Sequence, residues 1–312
     1  MKKKMNLQFF AATDVETLTN PRDSLPNVYT DISAREIDFV TRFGKNWEAL
    51  REILGVMRPI KKEAGSKLKS YKASVVLESG EVDPGCVIPY SKSKVEQVGY
   101  ADLTLQKYAK AVPVEDVDKY GAEIAVQKTD EAFLNELQSV VMEDFYDTLT
   151  DNDEAMTGND ATFQMAVAMA IGKVRDKFKK MHKTVTDVVV FVNILDAYEY
   201  LGAAEINLQT LFGVEYVKDF LGAKTMILTS EVERGKVIAT PSDNLVLYYV
   251  DPSSEFSKLG LVYTTDGETN LIGFHAQGNY GTAVGESFAL MGMKLWYEYA
   301  DGVAIETIEA NP

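Results

Sequence analysis

The 312 residues include a single cysteine, Cys86, and only two histidines, His182 and His275. One thiol cannot close an intrachain disulfide, so the chain is expected to fold in a reducing compartment without covalent staples. Cys86 follows the turn signal Asp83-Pro84-Gly85 and reads as a small apolar residue rather than a reactive thiol. With so little His and Cys, no HExxH zinc motif and no Cys/His metal cluster can be written. A GxxxxGK[ST] phosphate loop and a GxSxG nucleophile elbow are missing as well. Gly278, Gly281 and Gly285 are wrongly spaced for a dinucleotide fingerprint and read as bends between strands. Asp151-Asn152-Asp153 opens like a calcium loop, but Met156 and Thr162 stand where that loop requires glycine and glutamate. His182 ends a charged helix and reads as a surface residue, and His275 reads as a core or interface residue. No catalytic residue, cofactor site or metal site is assigned, and the chain is not expected to be an enzyme. Carboxylate acid–base chemistry is the enzymatic alternative that survives, because acids are abundant.

Positive charge is also in short supply. There are 32 basic and 47 acidic residues, a net charge of −15. Such a surface repels phosphate backbones, which disfavours nucleic-acid binding by counterion release but not the enclosing of DNA. No apolar run is long enough to cross a membrane. The opening, Met1 to Ala12, has three lysines and an apolar stretch too short and interrupted for a signal peptide, so the chain is expected to stay in the cytoplasm where it is made. What is present is an ordinary globular balance, 46% hydrophobic and 25% charged, over a length sufficient for a real core.

Along the chain, residues 1–35 read as an arm, broken at Asn20-Pro21 and Leu25-Pro26-Asn27. Ile37, Val40, Phe43, Trp47, Leu50 and Leu54 predict a helix over 36–57, with Ser33 as N-cap and Glu36 in the capping-box position. From Ala101 to Ala111 small and apolar residues share one parity, which predicts one long strand paired with Tyr71–Leu77. The pair would form an extended hairpin with a polar tip and little bulky apolar content. Phe133, Leu137, Val141 and Phe145 predict a long helix over 129–150, capped by Thr129 or Asp130. A second helix is expected over 161–181, then a buried strand at Asp187–Val192, a short helix at Ile194–Leu201, short strands to Val250, and a strand-rich tail. Within the tail, Phe288–Tyr299 reads as one long strand and Asp266-Gly267 as a turn. The fold class is α+β.

Charge is segregated. Residues 115–160 carry fourteen acids against Lys119 and Lys128, whereas 61–110 carry nine lysines against six acids. Solvated faces account for such runs as well as complementarity between copies does. On the second account Lys67, Lys69, Lys72, Lys92 and Lys94 of the hairpin, and Asp130, Glu136, Glu143 and Asp147 of the long helix, are the candidate inter-subunit contacts.

This order of elements resembles that of tailed-bacteriophage major capsid proteins. The opening Met5-Asn6-Leu7-Gln8-Phe9-Phe10-Ala11, the segments Val190-Phe191-Val192-Asn193 and Thr229-Ser230-Glu231-Val232, and the tail from Phe288 to Val303 are similar to recurring stretches of that family. The resemblance implies an N-arm and helix at 1–61, an extended hairpin or E-loop at 62–112, and a P-domain at 113–184 and 256–312 holding the spine helix 129–150. An α/β A-domain would occupy 185–255. It further implies pentamers and hexamers in an icosahedral shell that encloses double-stranded DNA without sequence-specific binding. A portal and a separate scaffolding protein would be partners, because residues 1–35 are too short for a built-in scaffold. The chain would reside in the virion capsid after assembly in the host cytoplasm, with no membrane contact. Lys92 or Lys94 with Asn270 or Asn279 would be the residues for an isopeptide link, without a specific signal for one. An encapsulin-like nanocompartment shell is the alternative use of the same fold, and two long helices argue against a tail-tube subunit.

Overall fold

A computed structural model describes residues 28–56, 59–83, 86–202, 209–211, 214–252 and 260–309. Most of the expected arm lies outside these residues. The first element is helix α1 (Val28–Leu54), followed by strands β1 (Ile60–Lys61), β2 (Lys67–Val76), β3 (Lys92–Asp102) and β4 (Gln106–Pro113). A short helix α2 (Val114–Tyr120) and a π-helical turn (Glu123–Gln127) lead into the long helix α3 (Lys128–Thr150). Next come β5 (Met156–Asp160), α4 (Phe163–Lys180), β6 (Val188–Asn193) and α5 (Ile194–Leu201). The rest is strand: β7 (Gln209–Leu211), β8 (Val214–Phe220), β9 (Ala223–Thr229), β10 (Lys236–Pro241), β11 (Leu245–Tyr249), β12 (Ile272–Asn279), β13 (Val284–Met291), β14 (Met293–Tyr297) and β15 (Ala304–Ile308).

A seven-stranded mixed sheet, in the order β5-β15-β10-β6-β9-β8-β7, forms the centre. All six residues of β6 are buried, because the strand has a core on each side. Val189 and Phe191 face the core shared with α1 and α3, while Val188, Val190 and Val192 face the one shared with α4. That is why β6 reads as an unbroken valine run rather than an alternation. Each such side chain contributes about 1.5–3 kcal/mol by leaving water. Two three-stranded sheets, β12-β13-β4 and β1-β11-β14, extend the α1/α3 core, and β2-β3 stand apart as a two-stranded ribbon.

Helix α1 begins at Val28 rather than at 36, since nothing between Val28 and Arg35 interrupts a helical backbone. Glu36 accordingly caps nothing. Its carboxylate accepts the Ala276 N–H at 2.6 Å and the Thr264 hydroxyl at 2.5 Å, tying α1 to β12. The predicted long strand through Ala101–Ala111 is two strands. β3 pairs with β2, the chain turns at Leu103–Leu105, and β4 pairs with β13. The drier parity of β4 is Tyr108, Lys110 and Val112, not the alanines, because those longer side chains reach the body.

Phe288–Tyr299 is likewise two strands, broken at Gly292. A Cβ there would stand 3.1 Å from the side chains of Val250 and Leu105, so any larger residue would push on both where the chain passes from β13 to β14. Neither Thr129 nor Asp130 caps α3, because the helix continues backward through the π-helical turn. Thr162, by contrast, caps α4 by accepting the Met165 N–H at 3.3 Å. The Asp266-Gly267 turn forms as expected, with Asp266 accepting the backbone N–H of Thr269 and Asn270.

Candidate assembly interface

The ribbon's buried contacts with the body, among the described residues, are at its base. Leu68 is buried. The Ser70 hydroxyl, fully buried, donates to the Tyr297 carbonyl and accepts the Trp296 indole N–H, each at 2.8 Å. Immediately beyond, the register slips: Ser70 pairs with Gly99 but Tyr71 with Gln97, leaving Val98 as a bulge. A bulge bends and twists a ribbon, and here it marks where the strands leave the body.

Past the bulge the pairing sorts the two faces. Tyr71, Val75 and Val95 lie on one side, and Lys72, Val76, Lys92, Lys94 and Glu96 on the other. Tyr71, Val75 and Val95 are all exposed, and at the tip Leu77, Val87, Ile88 and Tyr90 are 72–92% exposed. The expectation of little bulky apolar content is therefore overturned. The hairpin reads as polar in sequence because its lysines, serines and glycines are interleaved with these residues. An isolated two-stranded ribbon is marginal in water even when polar. An apolar side on one is surface built to be covered.

The five hairpin lysines are not gathered on one face. Lys67 and Lys69 share the side of Tyr71, with Lys67 set 5.3 Å from the Tyr100 ring centroid, and Lys72, Lys92 and Lys94 take the opposite side. Lys72 lies 3.4 Å from Glu154, and Lys94 pairs with Glu96 along its own strand.

The four acids of α3 also divide. Asp130 is buried in a triad, 2.5 Å from Arg35 Nε and 2.5 Å from Lys110 Nζ. Burial alone would raise its pKa, but the two cations outweigh that and hold it below the ordinary carboxylate value. Arg35 also donates to the Ser287 hydroxyl at 2.9 Å, so α1, β4, α3 and β13 meet at this carboxylate. Glu136, Glu143 and Asp147 are exposed, and their spacing of seven and four residues places them on one side of the helix.

The sequence reading passed over the apolar ribbon side. The signal was available in Tyr71, Val75 and Val95, which alternate with polar residues but carry no marker of which side meets solvent. Among the described residues, no three His, Cys, Asp or Glu are placed to hold a metal ion, and no helix is long and apolar enough to cross a membrane.

No family model matches the chain. No curated protein matches it in sequence. Solved structures do match. A chain of the cyanophage A-1(L) capsid asymmetric unit aligns with a TM-score of 0.52 at 12% identity, over 84% of this chain and 93% of that one. A structure from Mycobacterium phage Che8 aligns with a TM-score of 0.47 at 13% identity, over 78% and 84%. The holo-SrpI encapsulin complex from Synechococcus elongatus PCC 7942 aligns with a TM-score of 0.46 at 11% identity, over 84% and 90%. Of these three, the cyanophage structure sets the fold, and it does so across nearly its whole length. With its ribbon, long helix and central mixed sheet, this chain has the fold of a phage capsid protein.

Proposed function

We propose that the chain is a major capsid protein, a structural subunit that self-assembles into the icosahedral head shell around the double-stranded DNA of a tailed phage. The observation that carries this reading is the ribbon's exposed apolar side and tip, Tyr71, Val75, Val95, Leu77, Val87, Ile88 and Tyr90, on an element too thin to bury them itself. In a shell each ribbon lies on a neighbouring copy, which removes that surface from water and orders the tip. Heterologous contacts of this kind close into rings of five and six, and a ribbon whose buried anchors are Leu68 and Ser70 at its base bends to suit both. The exposed Glu136, Glu143 and Asp147 supply an acidic surface. It would attract the lysines of a neighbour and let packaged DNA move without adhering. A separate scaffolding protein and a portal are the further partners of this reading.

The test uses the tip. Val87→Ser, Ile88→Ser and Tyr90→Ser together remove apolar surface that touches little of its own subunit, so the unassembled chain should unfold within about 0.5 kcal/mol of wild type. Sedimentation velocity should then show large particles for wild type and pentamers, hexamers or monomers for the triple variant. Equal assembly of both would sink the proposal.

A further inference from the structure

Between the middle of α3 and the edge of the seven-stranded sheet is a cavity of about 290 Å³. Three carboxylates line it: Glu143 from α3, Glu215 from β8, and Glu231 just beyond β9. None of its described lining residues is basic. Its apolar wall is Met142 and Ile194.

Two polar atoms here are buried without a hydrogen-bond partner among the described residues, the Tyr146 hydroxyl and Glu215 Oε2. Tyr146 is only 2% exposed. Burial above all, and the charge of Glu231, raise its pKa, and the neighbouring Thr229 hydroxyl tempers the rise without making a well-formed bond. The phenol therefore keeps its proton at neutral pH and has free lone pairs. A buried orphan of this kind destabilises the fold until a partner reaches it. Both orphans sit in the lining of one acidic cavity, and an N–H donor carrying positive charge would satisfy both.

The ligand chemistry follows from the walls. The acids do not converge tightly enough to hold a metal ion, and an ion would leave the apolar wall unused. An ammonium group on a methylene stem uses both, with its head among the oxygens and its stem along the apolar side chains. We propose that this cavity binds an alkylammonium group, its head held by Glu215, Glu231 and the Tyr146 hydroxyl and its stem lying on Met142 and Ile194. The site lies within one chain, so it stands or falls separately from shell assembly. A free polyamine and a lysine side chain of another protein share this chemistry.

The experiment is calorimetric titration of the full chain with spermidine, and separately with N-acetyl-lysine methylamide as the stand-in for a protein lysine. At least one should bind saturably at one site per chain. Glu215→Gln should weaken that binding about tenfold or more, and Glu268→Gln, exposed and outside the cavity, should leave it unchanged. Saturation by spermidine identifies a free polyamine, and saturation by the lysine amide alone identifies a side chain from a partner. No saturable binding of either, equal binding by Glu215→Gln, or mole-for-mole displacement by magnesium would overturn the proposal. Without ligand, Tyr146→Phe should melt at or above the wild-type temperature, since it removes an orphan. A clear fall would show the hydroxyl already bonded within the chain and would likewise overturn it.

Discussion

Replacing Asp130 with asparagine keeps the shape of the side chain and removes the charge that Arg35 and Lys110 share. In wild type the carboxylate accepts from Arg35 Nε at 2.5 Å and Nη2 at 2.7 Å, and Lys110 Nζ lies 2.5 Å away. The side chains are 10%, 26% and 13% exposed for Asp130, Arg35 and Lys110. Removing one partner of a fully buried ion pair costs about 3–5 kcal/mol. Arg35 is a quarter exposed and regains some water, which lowers the expected loss to about 2–3 kcal/mol. For a chain of this size that is a fall of about 3–5 °C in melting temperature.

The pH dependence gives the sign. Asp130 titrates below its ordinary value of 3.8 in the folded state, so its contribution is full above that value and is lost as pH falls through the folded value. Lys110 also shifts down, first because of burial, which opposes the charged pair. The two partners thus pull in opposite directions. The carboxylate prevails because it has two cations, whereas Lys110 has one anion and a repelling Arg35. Melting followed by circular dichroism on unassembled protein should show the full gap between wild type and Asp130→Asn at about pH 7, closing below 3.8. A gap under about 1 °C, or one that ignores pH, would refute the reasoning.

Ser70→Ala should cost about 1–3 kcal/mol in denaturant unfolding, because it leaves the buried Trp296 N–H without an acceptor, and hydrogen exchange should speed up at the ribbon base. Gly158→Ala should destabilise by about 1–3 kcal/mol, since its Cβ would collide with the Glu306 carboxylate and Lys173 ammonium that pair beside it. Thermal melting would check this, and an unchanged temperature would mean the pair moves aside freely. If the hairpin lysines and helix acids meet between copies, light scattering should show slower assembly at about 1 M salt than at about 0.1 M, where the Debye length is three times longer. Salt-independent assembly would remove charge complementarity and leave the apolar ribbon side as the source of association.

The helices and the central strand were legible because each has a strong periodic signal. Val167, Val174 and Phe178 mark one side of α4, and the valines of β6 mark a strand with two cores. What escaped were the breaks inside continuous patterns. The alternation from Ala101 to Ala111 runs across Leu103–Leu105 without interruption in sequence, yet the chain changes sheet there. Gly292 is a single residue in an apolar run, and its role appears only when Val250 and Leu105 are seen against it. Asp130 reads as one acid among many on α3, and only the fold brings Arg35 and Lys110 to it from 95 residues before and 20 residues before in the chain. The acidic cavity is invisible for the same reason, since Tyr146, Glu215 and Glu231 come from three elements.

Negative-stain electron microscopy of the purified chain, expressed with and without its neighbouring genes, tests the central claim most directly. Closed shells, tubes, or rings of five and six are the predicted result, and double-stranded DNA rather than protein cargo inside particles from the complete system would identify a phage head. A uniform small oligomer in both samples would contradict the account.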